Sequence, residues 1–184
     1  VAGLNASDTA ALEAASADIR SLFTGGALPK EVAAAIRQSY AALGRDLPVA
    51  VRSSATAEDL PEMSFAGQQE SYLNVRGADA VIQMVKECWA SLWTARAIAY
   101  RLKNRIDHAD VTMAVVVQEL VEAEASGILF TANPLTGARD QVVVNAAWGL
   151  GEAIVGGEVT PDLLVIDKTS GAIVERQINS KDVM

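Results

Sequence analysis

Apolar residues recur at steps of three and four through the first hundred positions and then give way to short, β-branched runs. Between residues 8 and 23, Leu12, Ala15, Ile19 and Leu22 repeat at helical spacing, with Ser7 or Asp8 placed to cap and Gly25-Gly26 to terminate. A second helix is expected from Pro29 at its first position through Val32, Ile36, Tyr40 and Leu43, closed by Gly44. Val49-Ala50-Val51 then reads as a buried strand that runs into the polar cluster Arg52-Ser53-Ser54-Ala55-Thr56. Residues 68–75 predict a second strand. Gly77-Ala78-Asp79 opens what the pattern predicts as the longest helix, with Val81, Ile82, Val85, Trp89, Leu92, Trp93 and Tyr100 along one face. After the polar stretch 104–110, strands are expected at 111–118, 127–131, 141–147, 163–167 and 172–178, the last two joined by a hairpin turn at Lys168-Thr169-Ser170-Gly171. The class predicted is α+β, a mixed α/β chain in which a helix-rich lobe, 1–110, precedes a strand-rich lobe, 111–184.

Composition narrows the function classes. The 184 residues are 51% hydrophobic and 21% charged, enough chain and enough apolar surface for one globular domain or two small lobes. With 15 Lys+Arg against 23 Asp+Glu the net charge is −8, and no basic run stands out, so a nucleic-acid groove has no electrostatic support. Apolar runs such as Ala114 to Val117 fall far short of the roughly 18 residues that span a bilayer, so no membrane partner is expected. Cys88 is the single cysteine, which leaves no disulfide framework within the chain and suits a cytoplasmic setting. The start on Val1 and the end just past a strand-like stretch read as a piece of a longer polypeptide.

The chemistry concentrates in a few places, each with an ordinary alternative. Arg52 carries five donors in a rigid fork suited to phosphate oxygens, with Ser53, Ser54 and Thr56 around it. The same arginine would equally well pair with Glu58 or Asp59 in a solvated loop. Gly67, between Ala66 and Gln68, would let backbone N–H groups approach an anion, or would simply make a turn. Gln118-Glu119-Leu120-Val121 ends an apolar strand where exposed backbone offers donor and acceptor together, or where a strand merely stops. Trp148-Gly149-Leu150-Gly151-Glu152 lacks the Gly-Lys-Ser/Thr ending of a phosphate loop and the third glycine of a dinucleotide fingerprint. It reads as a tight turn that positions Glu152, a carboxylate for a ribose or only for solvent. His108, the only histidine, has no cysteine or second histidine beside it and reads as a solvated loop residue. Trp89 and Trp93 read as core.

Four blocks carry a resemblance. They are Val51-Arg52-Ser53-Ser54-Ala55-Thr56-Ala57-Glu58-Asp59, Phe65-Ala66-Gly67-Gln68-Gln69-Glu70, Ala125-Ser126-Gly127-Ile128-Leu129-Phe130-Thr131-Ala132-Asn133-Pro134-Leu135-Thr136-Gly137, and Trp148-Gly149-Leu150-Gly151-Glu152. In this order, and over residues 49–178, the chain resembles the nucleotide-binding domain of the phosphoenolpyruvate synthase and pyruvate phosphate dikinase family. The Phe130-Thr131-Ala132-Asn133-Pro134 block is similar to the rifampicin phosphotransferase branch. The resemblance implies a partial ATP-grasp fold whose lobes close on ATP, with magnesium at the phosphates. Carried over by motif, it implies phosphate contacts at Arg52, Ser53, Gly67 and Ser71, with Arg52 also the catalytic cation. It places the adenine and ribose beside Gln118, Glu119, Leu120, Val121 and Glu152.

The same resemblance puts a phosphate-binding lysine before the equivalent of Val1 and the Mg2+ ligands, a Glu and a Gln, beyond the equivalent of Met184. No metal ligand is therefore expected within this chain. Its partners would be the nucleotide and the remaining domains of the parent, among them a carrier-histidine domain and an acceptor-binding domain. Phosphoryl transfer depends on positioned cations, so the isolated segment is expected to be inactive. Two readings stand: the ATP-binding part of a phosphotransferase, whose acceptor is pyruvate or an antibiotic hydroxyl, and a non-catalytic nucleotide-binding module.

Overall fold

A computed structural model describes residues 1, 3–44, 46–55 and 71–180. The chain forms two compact units, Val1–Leu120 and Val121–Met184. The division lies beyond the polar stretch 104–110 for a topological reason. In the first unit β1 (Val49–Ala55) pairs antiparallel along its whole length with β3 (Met113–Glu119), from Val49 opposite Glu119 to Ala55 opposite Met113, which ties β3 to the helix-rich unit.

Among the described residues that unit holds four helices and the three-stranded antiparallel sheet β2-β1-β3, with β2 at Ser71–Val75. The helix α1 (Thr9–Gly25) starts where Asp8 Oδ1 accepts from the Ala11 N–H at 3.1 Å, the cap expected from the sequence. Pro29 sits one place earlier than expected, as the N-cap of α2 (Lys30–Leu43), with an extended ψ of 138°. The long helix predicted after Gly77 is two helices, α3 (Ala78–Ser91) and α4 (Ala95–Asn104). The break falls at Thr94, whose extended ψ of 149° leaves the helical region and whose Oγ1 accepts from the Ala97 N–H at 3.2 Å. A threonine in that conformation caps a new helix rather than continuing the old one.

Strand alternation decides what the sheet buries. Val49 and Val51, both 0% exposed, face the helices and pack with Tyr40, Val75, Val81, Val85 and Cys88. Filling this core with apolar side chains stabilises the unit by about 1.5–3 kcal/mol for each large one removed from water. Tyr40 also stitches three elements together: its hydroxyl donates to the Leu47 carbonyl at 2.7 Å and accepts from the Gly77 N–H at 2.9 Å. Gly77, with φ 84°, takes the left-handed conformation that turns the chain from β2 into α3.

His108 departs from its expected role. Its Nδ1 accepts from the Nε–H of Arg101 at 2.8 Å, its ring lies 5.8 Å from that of Trp93, and its Nε2 is buried. The solvated-loop reading failed because its partner, Arg101, sits on the inner face of α4 and is only 1% exposed. Local sequence around His108 carries no sign of that guanidinium.

The second unit is a four-stranded antiparallel sheet, β4 (Ala125–Phe130), β5 (Gln141–Trp148), β6 (Asp162–Asp167) and β7 (Ile173–Gln177), in chain order. Val143, Ala147 and Val165 are buried on one face. A one-turn helix, α5 (Glu152–Val155), follows β5. Gly127 lies so close to β5 that a Cβ there would meet the Asn145 carbonyl oxygen at 2.6 Å. The β4–β5 connection is pinned by Asn133, whose Nδ2 donates to Gln141 at 2.8 Å while its Oδ1 accepts from the N–H groups of Leu135 and Thr136. Helices with antiparallel sheets make the chain α+β, as expected.

Candidate nucleotide site

The middle strand of the first sheet sets the geometry. Because side chains alternate, Val49 and Val51 enter the core and Arg52 emerges on the opposite, exposed face. Across β1–β2, Arg52 stands opposite Ser71, and across β1–β3 it stands opposite Val116. Residues opposite one another in an antiparallel pair share a face. Ser71 therefore joins Arg52 on the open face, and so does Gln118, which is opposite Ala50 one row along. All three side chains are exposed. Among the described residues no hydrogen bond or ion pair engages the Arg52 guanidinium.

Ser53 belongs to the other parity. It is half-buried opposite Val115, on the side of Val49 and Val51, so its side chain is not brought beside that of Arg52. Glu119 stands opposite Val49 and is likewise on the far side of the strand from Gln118, although it is exposed at the strand end. Leu120 gives its N–H to the Pro48 carbonyl at 2.9 Å, and the Val121 carbonyl accepts from the Ala123 N–H at 2.9 Å. The Val121 side chain is 73% exposed. Gly67, and with it Glu58 and Asp59, lies outside the described residues.

In the second unit, Gly149 has φ 78° and donates its N–H to the Glu124 carbonyl at 2.9 Å. This is the glycine-permitted turn expected after β5. It delivers Glu152 to the first position of α5, with an exposed carboxylate and with its carbonyl accepting from the Gly156 N–H at 2.7 Å. Ser126 on β4 was not singled out by sequence reasoning. Its hydroxyl is buried without a hydrogen-bond partner among the described residues, and Gly151 lies so near that a Cβ there would come within 3.7 Å of it. The only sequence signal for it is its place in the 125–137 block.

Residues 1–184 match the family described as "Pyruvate phosphate dikinase, AMP/ATP-binding domain". The chain belongs to that family. As a pyruvate phosphate dikinase AMP/ATP-binding domain it is 53% identical over 185 residues to a probable phosphoenolpyruvate synthase of Pyrococcus horikoshii, covering 98% of this chain and 22% of the relative. It is 54% identical over 171 residues to the phosphoenolpyruvate synthase of Pyrococcus furiosus, covering 90% of this chain and 21% of the relative. A third relative, the phosphoenolpyruvate synthase of Aeropyrum pernix, is 52% identical over 175 residues, covering 92% and 21%. This AMP/ATP-binding domain thus spans about a fifth of the length of the curated relatives it matches.

An anionic nucleotide suits the donor set of the open face, since a guanidinium flanked by a serine hydroxyl is matched to phosphate oxygens. Among the described residues no group of three or more His, Cys, Asp or Glu could hold a metal ion. No helix of the described chain is long and apolar enough to cross a membrane.

Proposed function

We propose that this domain supplies an ATP-binding surface of ATP-grasp type to a phosphotransferase of the phosphoenolpyruvate synthase kind. One observation carries the reading: Arg52, Ser71 and Gln118 share the open face of the β2-β1-β3 sheet. In this reading the Arg52 guanidinium meets phosphate oxygens, the Ser71 hydroxyl adds a short donor, and Gln118 faces the base. The Leu120 N–H is already committed to Pro48, so the adenine edge is read by the carbonyls of Glu119 and Leu120 and by the N–H of Val121. Phosphoryl transfer is accelerated chiefly by preorganised positive charge around the transferred group, and the contribution of this chain is to hold and orient the phosphates.

The parent then passes the phosphoryl group through a carrier histidine in another domain to pyruvate, with Mg2+ held by residues outside this chain. The names of the relatives support pyruvate over an antibiotic hydroxyl as the acceptor. Buried Cys88, which forms no disulfide, is in keeping with a cytoplasmic setting. The reading is tested by equilibrium ATP binding to the full-length protein. Charge-assisted hydrogen bonds are worth about 1.5–3 kcal/mol each, so Arg52→Ala should weaken ATP by roughly ten- to a hundredfold while a nucleoside without phosphates binds unchanged. Equal ATP affinity in the wild type and the variant would remove Arg52 from the site.

A further inference from the structure

The most unusual chemistry outside the nucleotide face is a guanidinium buried without a carboxylate. Arg101 is 1% exposed, no acidic side chain pairs with it among the described residues, and one of its terminal nitrogens is buried with no hydrogen-bond partner. Its Nε–H instead donates to His108 Nδ1 at 2.8 Å, and its Cζ lies 5.0 Å above the ring of Trp93. A nitrogen that accepts from a cation must hold a lone pair, so the imidazole is neutral and carries its proton on Nε2. That Nε2 is also buried without an acceptor.

His108 lies in the connection between α4 and β3. This connection begins at Arg105, which takes the left-handed conformation at φ 56°, and at Ile106, whose N–H donates to the Arg101 carbonyl at 2.9 Å. Arg101 thus fastens the connection twice, once through its backbone and once through its side chain.

We propose that the Arg101–His108 pair is an acid-sensitive fastening: protonation of His108 at Nδ1 sets two donors and two positive charges against each other and frees the α4–β3 connection. Proton balance is simple, since solvent supplies one proton to Nδ1 and nothing is oxidised or displaced. Arg101 cannot relieve the conflict by giving up its own proton, because burial lowers its pKa only to about 10. The side-chain charges that act on the imidazole are Arg101 from α4 and the neighbouring Asp107. Burial first, then Arg101, hold His108 below the usual histidine range, and Asp107 opposes them. A base whose folded pKa is depressed lends stability that is full above its unfolded value of about 6.5. That stability is lost as pH falls from there through the folded value.

The test uses the full-length protein. Nitrogen NMR of 15N-histidine samples, with His108 assigned by its disappearance in His108→Asn, should show the Nε2–H tautomer at pH 7.5 and a titration midpoint below 6.5. Hydrogen exchange of residues 101–112, corrected for intrinsic rate, should rise at least tenfold across that midpoint. His108→Asn places a neutral acceptor near Nδ1 and should abolish the acid step. A midpoint at or above 6.5, an Nδ1–H tautomer, or an acid step that persists in His108→Asn would overturn the proposal. If His108→Asn does not fold, tautomer and midpoint in the wild-type protein decide alone, with the remaining histidine signals assigned by substituting the other histidines.

Discussion

Arg52 and Ser71 face each other across β1 and β2, on the side of the sheet turned away from the core. Two strands joined by an antiparallel register have set a cation and a hydroxyl side by side on an exposed surface, where neither does anything for the packing. Substituting either should leave the fold intact.

For Arg52 the expected outcome is a split between the alanine and lysine variants and the melting temperature. Arg52→Ala should lower kcat/KM of the full-length enzyme by at least a hundredfold. Arg52→Lys should recover little of it, since an ammonium keeps the charge but loses the planar fork. Neither should change stability by more than about 0.5 kcal/mol, as is usual for an exposed position. Steady-state kinetics beside thermal melts check both halves, and near-wild-type turnover in Arg52→Ala would exclude a catalytic role.

Removing the hydroxyl of Tyr40 tests the stitch between α2, β1 and α3. Tyr40→Phe strands the Leu47 carbonyl and the Gly77 N–H, both bonded to that oxygen. Leaving partly buried backbone groups unpaired costs about 1–3 kcal/mol, so the denaturation midpoint should fall with little change in m-value.

The Thr94 break has its own test. Thr94→Ala removes the acceptor for the Ala97 N–H and should destabilise the protein by about 0.5–2 kcal/mol. Restoring a cap with Thr94→Ser or Thr94→Asp should return most of it. Equal melts for the alanine and serine variants would show that the helix start is fixed by packing alone.

At the hairpin turn before β7, Asp167 accepts from the Ser170 hydroxyl at 2.6 Å and from the Ser170 N–H at 2.7 Å. The hydroxyl bond foremost, then the backbone bond, holds the Asp167 carboxyl below the usual carboxylate range. Because the folded pKa is the lower one, this contribution to stability is present above the unfolded value near 3.9 and is lost as pH falls through the folded value. Ser170→Ala should move the Asp167 midpoint upward in a carboxyl-resolved NMR titration, and an unmoved midpoint would refute the assignment.

Much of the fold could be read along the chain because the signals are local. Asp8, Gly26 and Gly44 mark helix ends by their own conformational preferences, and β-branched runs such as Val49-Ala50-Val51 and Val142-Val143-Val144 mark strands. What escaped reading depends on residues far apart in sequence. The membership of β3 in the first unit is decided by its pairing with β1, some sixty positions earlier, and the hydrogen bond of His108 by Arg101 on the inner face of a helix. Thr94 was readable in principle, since threonine followed by a helix former is a cap signal, but the apolar spacing runs on through it and outweighed the single polar residue. At the nucleotide face, the motif residues were legible as a set. Which of them share a side was not, because Arg52 and Ser53 are neighbours in sequence and opposites in a strand.

The outer edge of β3 has a practical consequence. Among the described residues β3 closes the sheet, with β1 on one side and no strand on the other, and Met113-Ala114-Val115-Val116-Val117 carries neither charge nor proline. Such an edge is a template for another extended chain. Preparations of residues 1–184 should therefore turn cloudy with concentration and bind amyloid-type dyes, and a single lysine at Val116, outward-facing and 47% exposed, should keep them clear without disturbing the core.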